Sequence, residues 1–315
     1  MGWSPDEDPL LRYVVTGAAG FIGSRLADLL QEAGHEVVGV DCFTDYYDPG
    51  EKEENAAGLD VRRVDLADTE LELDGVDGVF HLAAQAGVRS FGAVFPTYVR
   101  RNLLATQRVF EACARARVKV VFASSSSVYG DAESYPTAED TEPRPISPYG
   151  ITKLACEQLA RAYAKAFALD AVVLRYFTVY GPRQRPDMFF RRVCEALASG
   201  GTFEIYGSGE QSRSFTYVDD TAAASIAAME RGEPGTVMNV GGGEEATMLE
   251  AIALLERLSG RTLDVRHVGD AKGDVSRTSA DVSRIRDALG WRPATPLEDG
   301  LARMWSWAAA RVAAG

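Results

Sequence analysis

Histidine, cysteine and lysine are all scarce in this chain, and each scarcity narrows what it can do. The three histidines (His35, His81, His267) lie far apart, and the four cysteines (Cys42, Cys113, Cys156, Cys194) share no paired spacing. Neither set reads as a metal centre, and unpaired thiols suit a reducing cytoplasm. Positive charge is also short. A formal net charge of −13 argues against a nucleic-acid groove or an anionic membrane surface as partner. An anionic ligand would have to be met by local arginines against an unfavourable overall field. No apolar run reaches the length of a membrane span. The N-terminal residues, Met1 to Asp8, are acidic and lack the apolar stretch of a signal peptide. The expectation is a cytoplasmic globular protein whose 315 residues suffice for one large domain or two unequal ones. No linker and no internal repeat divides it.

What is present begins at Tyr13. An apolar β-branched run, Tyr13-Val14-Val15-Thr16, breaks at Gly17-Ala18-Ala19-Gly20-Phe21-Ile22-Gly23 and restarts as a helix with Leu26, Leu29, Leu30 and Ala33 on one face. In such a turn Gly17 permits the tight bend, Gly20 lets backbone approach a pyrophosphate, and Gly23 lets helix pack on strand. The free amides and positive end of the helix then face the phosphates. A second strand, Glu36 to Val40, closes on Asp41, about 20 residues on, where a carboxylate can accept hydrogen bonds from a ribose 2′-OH. An acid there repels a 2′-phosphate, so the site favours NAD over NADP.

Further strands are predicted at Val61–Val64 (ending on Asp65-Leu66), Val79–Leu82, Lys119–Ala123, Ala171–Arg175, Phe203–Tyr206 and Thr236–Val240. Helices alternate with them near 98–117, 148–168, 189–199, 219–229, 247–259 and 296–312. Residues 42–55 read as an aperiodic polar and aromatic loop. This alternation predicts an α/β fold: a Rossmann-type, doubly wound parallel sheet with a smaller C-terminal α/β substrate domain. The boundaries are 1–178 for the sheet domain, with returning segments near 215–242, and 179–315 for the remainder.

Two features carry chemistry. The fifth strand delivers Ser124-Ser125-Ser126-Ser127 to the same sheet edge as the glycine turn. Later, Ser147 and Pro148 open a helix as N-cap and first helical residue, placing Tyr149 and Lys153 on one face. A phenol, with a pKa near ~10, is a poor base at neutral pH; a nearby ammonium and a helix N-terminus favour the phenolate. Tyr149 would then take a proton from an alcohol while hydride leaves its carbon for NAD, with Ser125 bonded to the same oxygen. Lysine is otherwise rare, at five against 28 arginines.

These stretches, with His81-Leu82-Ala83-Ala84, Tyr180-Gly181-Pro182, Phe215 to Asp220 and Gly290-Trp291, resemble an extended short-chain dehydrogenase/reductase of the NAD-dependent epimerase/dehydratase family. The resemblance implies a homodimer packed through the helices near 98–117 and 148–168, and a UDP-sugar substrate. It implies NAD contacts from Gly17, Gly20, Phe21, Ile22, Gly23, Asp41, Asp65, Leu66, Leu82, Ala83 and Ala84. Asn102 would lie near the cofactor and Tyr176 near its nicotinamide, beside Tyr149 and Lys153. Ser125, Ser126 and Ser127 complete the catalytic set. Gln85 and Thr178 fall on the substrate side, and Tyr206, Arg213 and Arg277 would hold the uridine and diphosphate.

Asp45-Tyr46-Tyr47-Asp48-Pro49, His81 through Val88-Arg89, and Phe177 to Met188 look like UDP-glucuronate 4-epimerases, with Arg185 as clamp for the C6 carboxylate. Ser126-Ser127 stand where the 4,6-dehydratases carry an Asp-Glu pair, which argues against their water loss. A UDP-glucuronate decarboxylase, giving UDP-xylose or a UDP-4-keto-pentose, needs the same tyrosine, lysine, serine and NAD and stays open. A non-catalytic NAD-sensing protein would typically lose the Tyr-Lys pair that this chain keeps.

Overall fold

The computed structural model of the chain describes residues 10–87, 91–269 and 277–314. Val88 and Arg89 lie outside the described residues. The first half alternates as expected: β1 (Arg12–Thr16), α1 (Phe21–Glu32), β2 (Glu36–Asp41), α2 (Pro49–Asn55), β3 (Asp60–Arg63) and β4 (Gly78–His81). A helical stretch follows, made of α3 (Phe95–Tyr98), a π-wound turn (Val99–Leu104) and α4 (Ala105–Ala116). Then come β5 (Lys119–Ser125), α5 (Pro148–Phe167) and β6 (Ala171–Tyr176). The second half contains β7 (Thr178–Tyr180), α6 (Phe189–Ser199), β8 (Thr202–Tyr206), β9 (Ser212–Tyr217), α7 (Val218–Arg231) and β10 (Val237–Val240). It closes with β11 (Glu245–Thr247), α8 (Met248–Ser259), β12 (Asp264–Val268), β13 (Arg277–Thr278), α9 (Ser283–Leu289) and α10 (Leu297–Ala314).

Seven strands form one parallel sheet in the order β10-β6-β5-β4-β1-β2-β3. Its central strands carry apolar residues on both sides because both faces are covered. Leu26, Leu30, Ala222 and Ala228 from α1 and α7 belong to one core, and Val109, Phe110, Cys156 and Ala160 from α4 and α5 to the other. The chain winds outward from β1 through β2 to β3, then returns to place β4 on the opposite side of β1. A sheet that reverses there opens a crevice beyond the strand ends, between the turn after β1 and the turn after β4.

The remaining strands pair in small groups: β9 with β7, β11 and β13, and β12 with β8. Helices α6, α8 and α10 pack on them, and Tyr180, Phe190, Phe215, Leu301 and Met304 join the same core as α1 and α7. None of the described helices is long and apolar enough to cross a membrane.

Residues 42–55 depart from the loop expected there. Asp48 accepts a hydrogen bond from the Gly50 amide at 2.9 Å and Pro49 takes the first helical position, so a short helix, α2, starts there. Seven residues give too little periodicity to register as a helix, but the Asp-Pro start signal is legible.

Candidate active site

The glycine turn leaves no room for side chains. Gly17 has φ +72°, and a Cβ there would stand 2.8 Å from the Ala83 backbone nitrogen; one on Gly23 would stand 2.2 Å from the Gly17 carbonyl oxygen. The first is a left-handed conformation and the second a direct clash, so both positions demand glycine. A Cβ on Gly20 would be 3.1 Å from the same carbonyl. Asp41, at the tip of β2, accepts hydrogen bonds from the Ala19 amide (3.2 Å) and the Phe43 amide (2.8 Å), which lock the turn to the second strand.

A cleft of about 490 Å³ opens from this turn along the sheet edge. Gly17, Gly20, Phe21, Ile22, Gly23, Asp41, Asp65, Leu66, Leu82, Ala83 and Ala84 all line it. So do Ser125, Ser126, Ser127, Tyr149, Lys153, Tyr176, Gln85, Thr178 and Arg185. The small turn after β4 keeps the crevice open, and the turn after β1 is too tight for a Cβ. The cradle therefore fits a dinucleotide: backbone can approach phosphate, and a carboxylate waits at the neighbouring strand tip.

At the far end of β5, Ser125 donates to Ser127 Oγ at 3.1 Å and accepts from the Ser127 amide at 3.1 Å. Ser147 caps α5 by accepting from the Gly150 amide at 3.1 Å, which sets the first turn. Lys153 is almost wholly buried. Its Nζ donates to the Ala123 carbonyl at 2.6 Å and lies 5.8 Å from the centre of the Tyr149 ring. The ammonium is thus pinned between the strand bearing the serines and the tyrosine.

Arg185 sits on a well-anchored loop. Arg183 pairs with Asp28 of α1 at 2.7 Å, Gln184 donates to the Val179 carbonyl at 3.1 Å, and the Met188 amide bonds the Arg185 carbonyl at 3.0 Å. The Arg185 guanidinium meets the carboxylate of Asp187 through Nε and Nη2, both at 3.0 Å. Burial works against its charge, and Asp187 more than offsets that, so its pKa is raised.

Some expected residues lie elsewhere. Asn102 is buried one layer behind the cleft. It accepts from the Gln85 amide at 2.7 Å and donates to the Gln85 carbonyl at 3.1 Å and to Thr152 at 3.0 Å, fixing the β4 turn from behind. Tyr206, Arg213 and Arg277 are on β8, β9 and β13 and are not among the residues that line this cleft. Arg277 is engaged bidentately by Glu245 at 2.6 and 2.9 Å and lies over the Tyr135 ring. Among the described residues, no cluster of His, Cys, Asp and Glu is placed to hold a metal ion.

Three groups take parts that the sequence reading did not assign, although Tyr46, Tyr47 and His81 lie in stretches that carry the resemblance. Thr44, Tyr46, Tyr47 and Lys52, from β2–α2, line the cleft, as does Arg101, which donates to Gln85 Oε1 at 2.9 Å. The Tyr47 hydroxyl is buried without a partner among the described residues, and burial pushes its pKa up to about 12. His81 is fully buried behind the crevice, bonded to Thr16 at 2.7 Å and Thr106 at 2.9 Å. Burial, and secondarily the charge of Lys153, depress its pKa to about 3. Below the serines, Glu157 of α5 accepts from Ser124 (2.5 Å) and from Arg175 (2.7 and 3.0 Å), a wholly buried ion pair. No periodic pattern marks these positions.

The chain is similar to known proteins along most of its length. Residues 13–241 match the family model described as NAD dependent epimerase/dehydratase family. A UDP-glucuronic acid 4-epimerase from Bacillus cereus, solved with UDP-glucuronic acid and NAD, superposes with a TM-score of 0.90 at 40% identity, covering 95% of this chain and 99% of that one. The UDP-glucuronate 4-epimerase of Thermodesulfobacterium geofontis (strain OPF15) is 37% identical over 309 residues, 94% of this chain and 95% of its own length. YtcB of Bacillus subtilis (strain 168), described as an uncharacterized UDP-glucose epimerase, is 41% identical over 308 residues, 92% of this chain and 96% of its own.

Proposed function

The chain belongs to the NAD-dependent epimerase/dehydratase family, and from that premise we propose that it interconverts UDP-glucuronate and its C4 epimer through a 4-keto sugar. The observation that carries this reading is the convergence of Tyr149, Lys153, Ser125, Ser127 and Arg185 on the one cleft that the glycine turn closes. When bound there, NAD supplies the oxidising and then the reducing equivalent at the sugar's C4.

The residues of the chain do the rest. Gly20 admits the pyrophosphate, Gly17 and Gly23 keep the turn and its helix close-packed beside it, Asp41 holds the ribose, and Asp65 and Leu66 flank the cofactor where they line the cleft. Tyr149 accepts the proton of the C4 hydroxyl while Ser125 holds the same oxygen, and in the return step Tyr149 gives the proton back. Lys153, pinned to the Ala123 carbonyl, holds a positive charge beside that tyrosine. Tyr206, Arg213 and Arg277 are proposed to hold the uridine and diphosphate.

Oxidation at C4 makes a β-keto acid, which loses CO2 when the C5–C6 bond aligns with the ketone's π system. Arg185 grips the C6 carboxylate and holds that bond out of alignment. Catalysis here includes preventing a reaction. The Ser126-Ser127 pair supplies no acid for water loss, which separates the site from a dehydratase.

We also infer a homodimer packed through the helices near 98–117 and 148–168, where Val99, Leu104, Ile151 and Phe167 are exposed. Light scattering at the mass of two chains supports it, and a monomer opposes it. The free thiols of Cys42, Cys113, Cys156 and Cys194 suit a cytoplasmic setting.

The test is a sealed incubation with UDP-glucuronate, read by mass and proton NMR. An isobaric product inverted at C4 supports the epimerase. Loss of CO2, giving UDP-xylose or the UDP-4-keto-pentose, makes the chain a decarboxylase instead. Untouched UDP-glucuronate alongside turnover of UDP-glucose removes the role of Arg185. No turnover of any UDP-sugar points to an NAD-sensing binding protein.

A further inference from the structure

Arginine recognises a carboxylate by presenting two parallel N–H groups, and its guanidinium carries five such donors in a fixed plane. In this cleft two of the five are already spoken for. Asp187 takes Nε and one hydrogen of Nη2, both at 3.0 Å, while Nη1 has no partner among the described residues. Asp187 is itself held from a second side, since the Tyr46 hydroxyl donates to its Oδ2 at 3.4 Å. The Tyr46 ring lies 5.9 Å from the guanidinium carbon, within the range of a cation–π contact. A carboxylate from the loop after β7 and a tyrosine from the loop after β2 therefore bracket one arginine. The Arg185 side chain is only 22% exposed, against 44% for Asp187, so the pair is inner cleft wall backed by outer brace.

We propose that Asp187 is a positioning residue that sets the fidelity of the cleft. By occupying the Nε–Nη2 edge of Arg185 it leaves the Nη1–Nη2 edge to receive a substrate carboxylate in one orientation. This rests on the reading of Arg185 as the C6-carboxylate clamp. A freely rotating arginine attracts a carboxylate as well as a braced one, because its charge is the same. It cannot dictate the torsion about C5–C6. Without the brace, some 4-keto sugars reach the aligned geometry: the C5–C6 electron pair moves to C5, CO2 departs, and C5 takes up a proton to give the UDP-4-keto-pentose. The Asp187 charge also opposes a second carboxylate nearby, so removing it does not weaken substrate attraction.

The experiment compares Asp187→Asn, Asp187→Glu and Arg185→Ala with the parent protein, using UDP-glucuronate labelled with carbon-13 at C6. Released label, C4-inverted product, KM and bound NAD are all measured, with thermal melting as the check on folding. Asp187→Asn is expected to keep its NAD, its melting temperature and a KM within about twofold, while the share of turnovers ending in CO2 rises about tenfold, below the roughly 10²-fold that a 1 Å misplacement can cause. Asp187→Glu, which keeps the charge, should restore part of the fidelity. A structural defect alone would instead raise KM and lower the melting temperature. Two results overturn the proposal: an unchanged CO2 share in Asp187→Asn while Arg185→Ala raises it, or a lowered KM with no CO2, which would make Asp187 a competitor that substrate displaces. If Arg185→Ala leaves the CO2 share unmoved as well, the clamp itself is wrong and the role of Asp187 falls with it.

Discussion

Acid should attack this protein first at a residue that never touches substrate. His81 ends β4, fully buried, with Thr16 on one ring nitrogen and Thr106 on the other, and Thr16 also accepts from the Ala83 amide at 3.1 Å. The imidazole thus braces both turns of the crevice from behind. Its pKa falls from an ordinary 6.5 to about 3 because burial penalises the cation, with Lys153 adding repulsion. As pH falls, the unfolded chain takes up the proton before the native one, so stability drops. The contribution is fully present above about pH 6.5 and gone by about pH 3. At about 1.36 kcal/mol per pH unit the whole gap is worth roughly 5 kcal/mol, of which about 2 kcal/mol is lost by pH 5. Proton NMR can follow all three imidazoles, with His81→Gln assigning the third. Its resonance should stay unprotonated at pH 5, and the urea midpoint of the parent should fall more steeply from pH 7 to pH 5 than that of His81→Gln. A His81 resonance titrating near 6.5, or equal pH slopes in the two proteins, would refute the reasoning.

Three further outcomes follow from the same geometry. Tyr149→Phe should lower turnover by about 10²–10⁴-fold while NAD content and melting temperature hold, because only the proton acceptor is lost. Gly23→Ala drives a methyl to 2.2 Å from the Gly17 carbonyl oxygen, so it should cost at least about 2 kcal/mol in denaturant unfolding and empty the protein of NAD, measured by absorbance of the released cofactor. Glu157→Gln strands the buried Arg175 charge and should destabilise by about 3–5 kcal/mol, whereas the double change Glu157→Leu with Arg175→Met should recover much of that, as compared by thermal unfolding.

The glycine turn, the acid after the second strand and the tyrosine–lysine helix were all legible along the chain. Each is a local device: a turn that tolerates only glycine, a strand tip, or two side chains one helical turn apart. The parallel sheet was legible for the same reason, since its buried strands are apolar runs separated by helical periods. Short elements were not. α2 has seven residues, and β7, β11 and β13 have three, three and two, too few to show a period. Nothing near Glu157 in sequence announces that it meets Ser124 and Arg175, which reach it from separate strands.

A span of about twenty residues is enough to encode a phosphate turn, because its backbone conformation and its helix cap are settled among neighbours. That much of the chemistry belongs to the sequence. Which edge of Arg185 is already taken, whether His81 can hold a proton, and where Arg277 finds its carboxylate depend on partners brought together only when distant segments pack. Asp28, Tyr46, Thr106 and Glu245 each lie far along the chain from the groups they hold. Burial and pairing are properties of a closed core, and no stretch of the chain carries them before that core has formed.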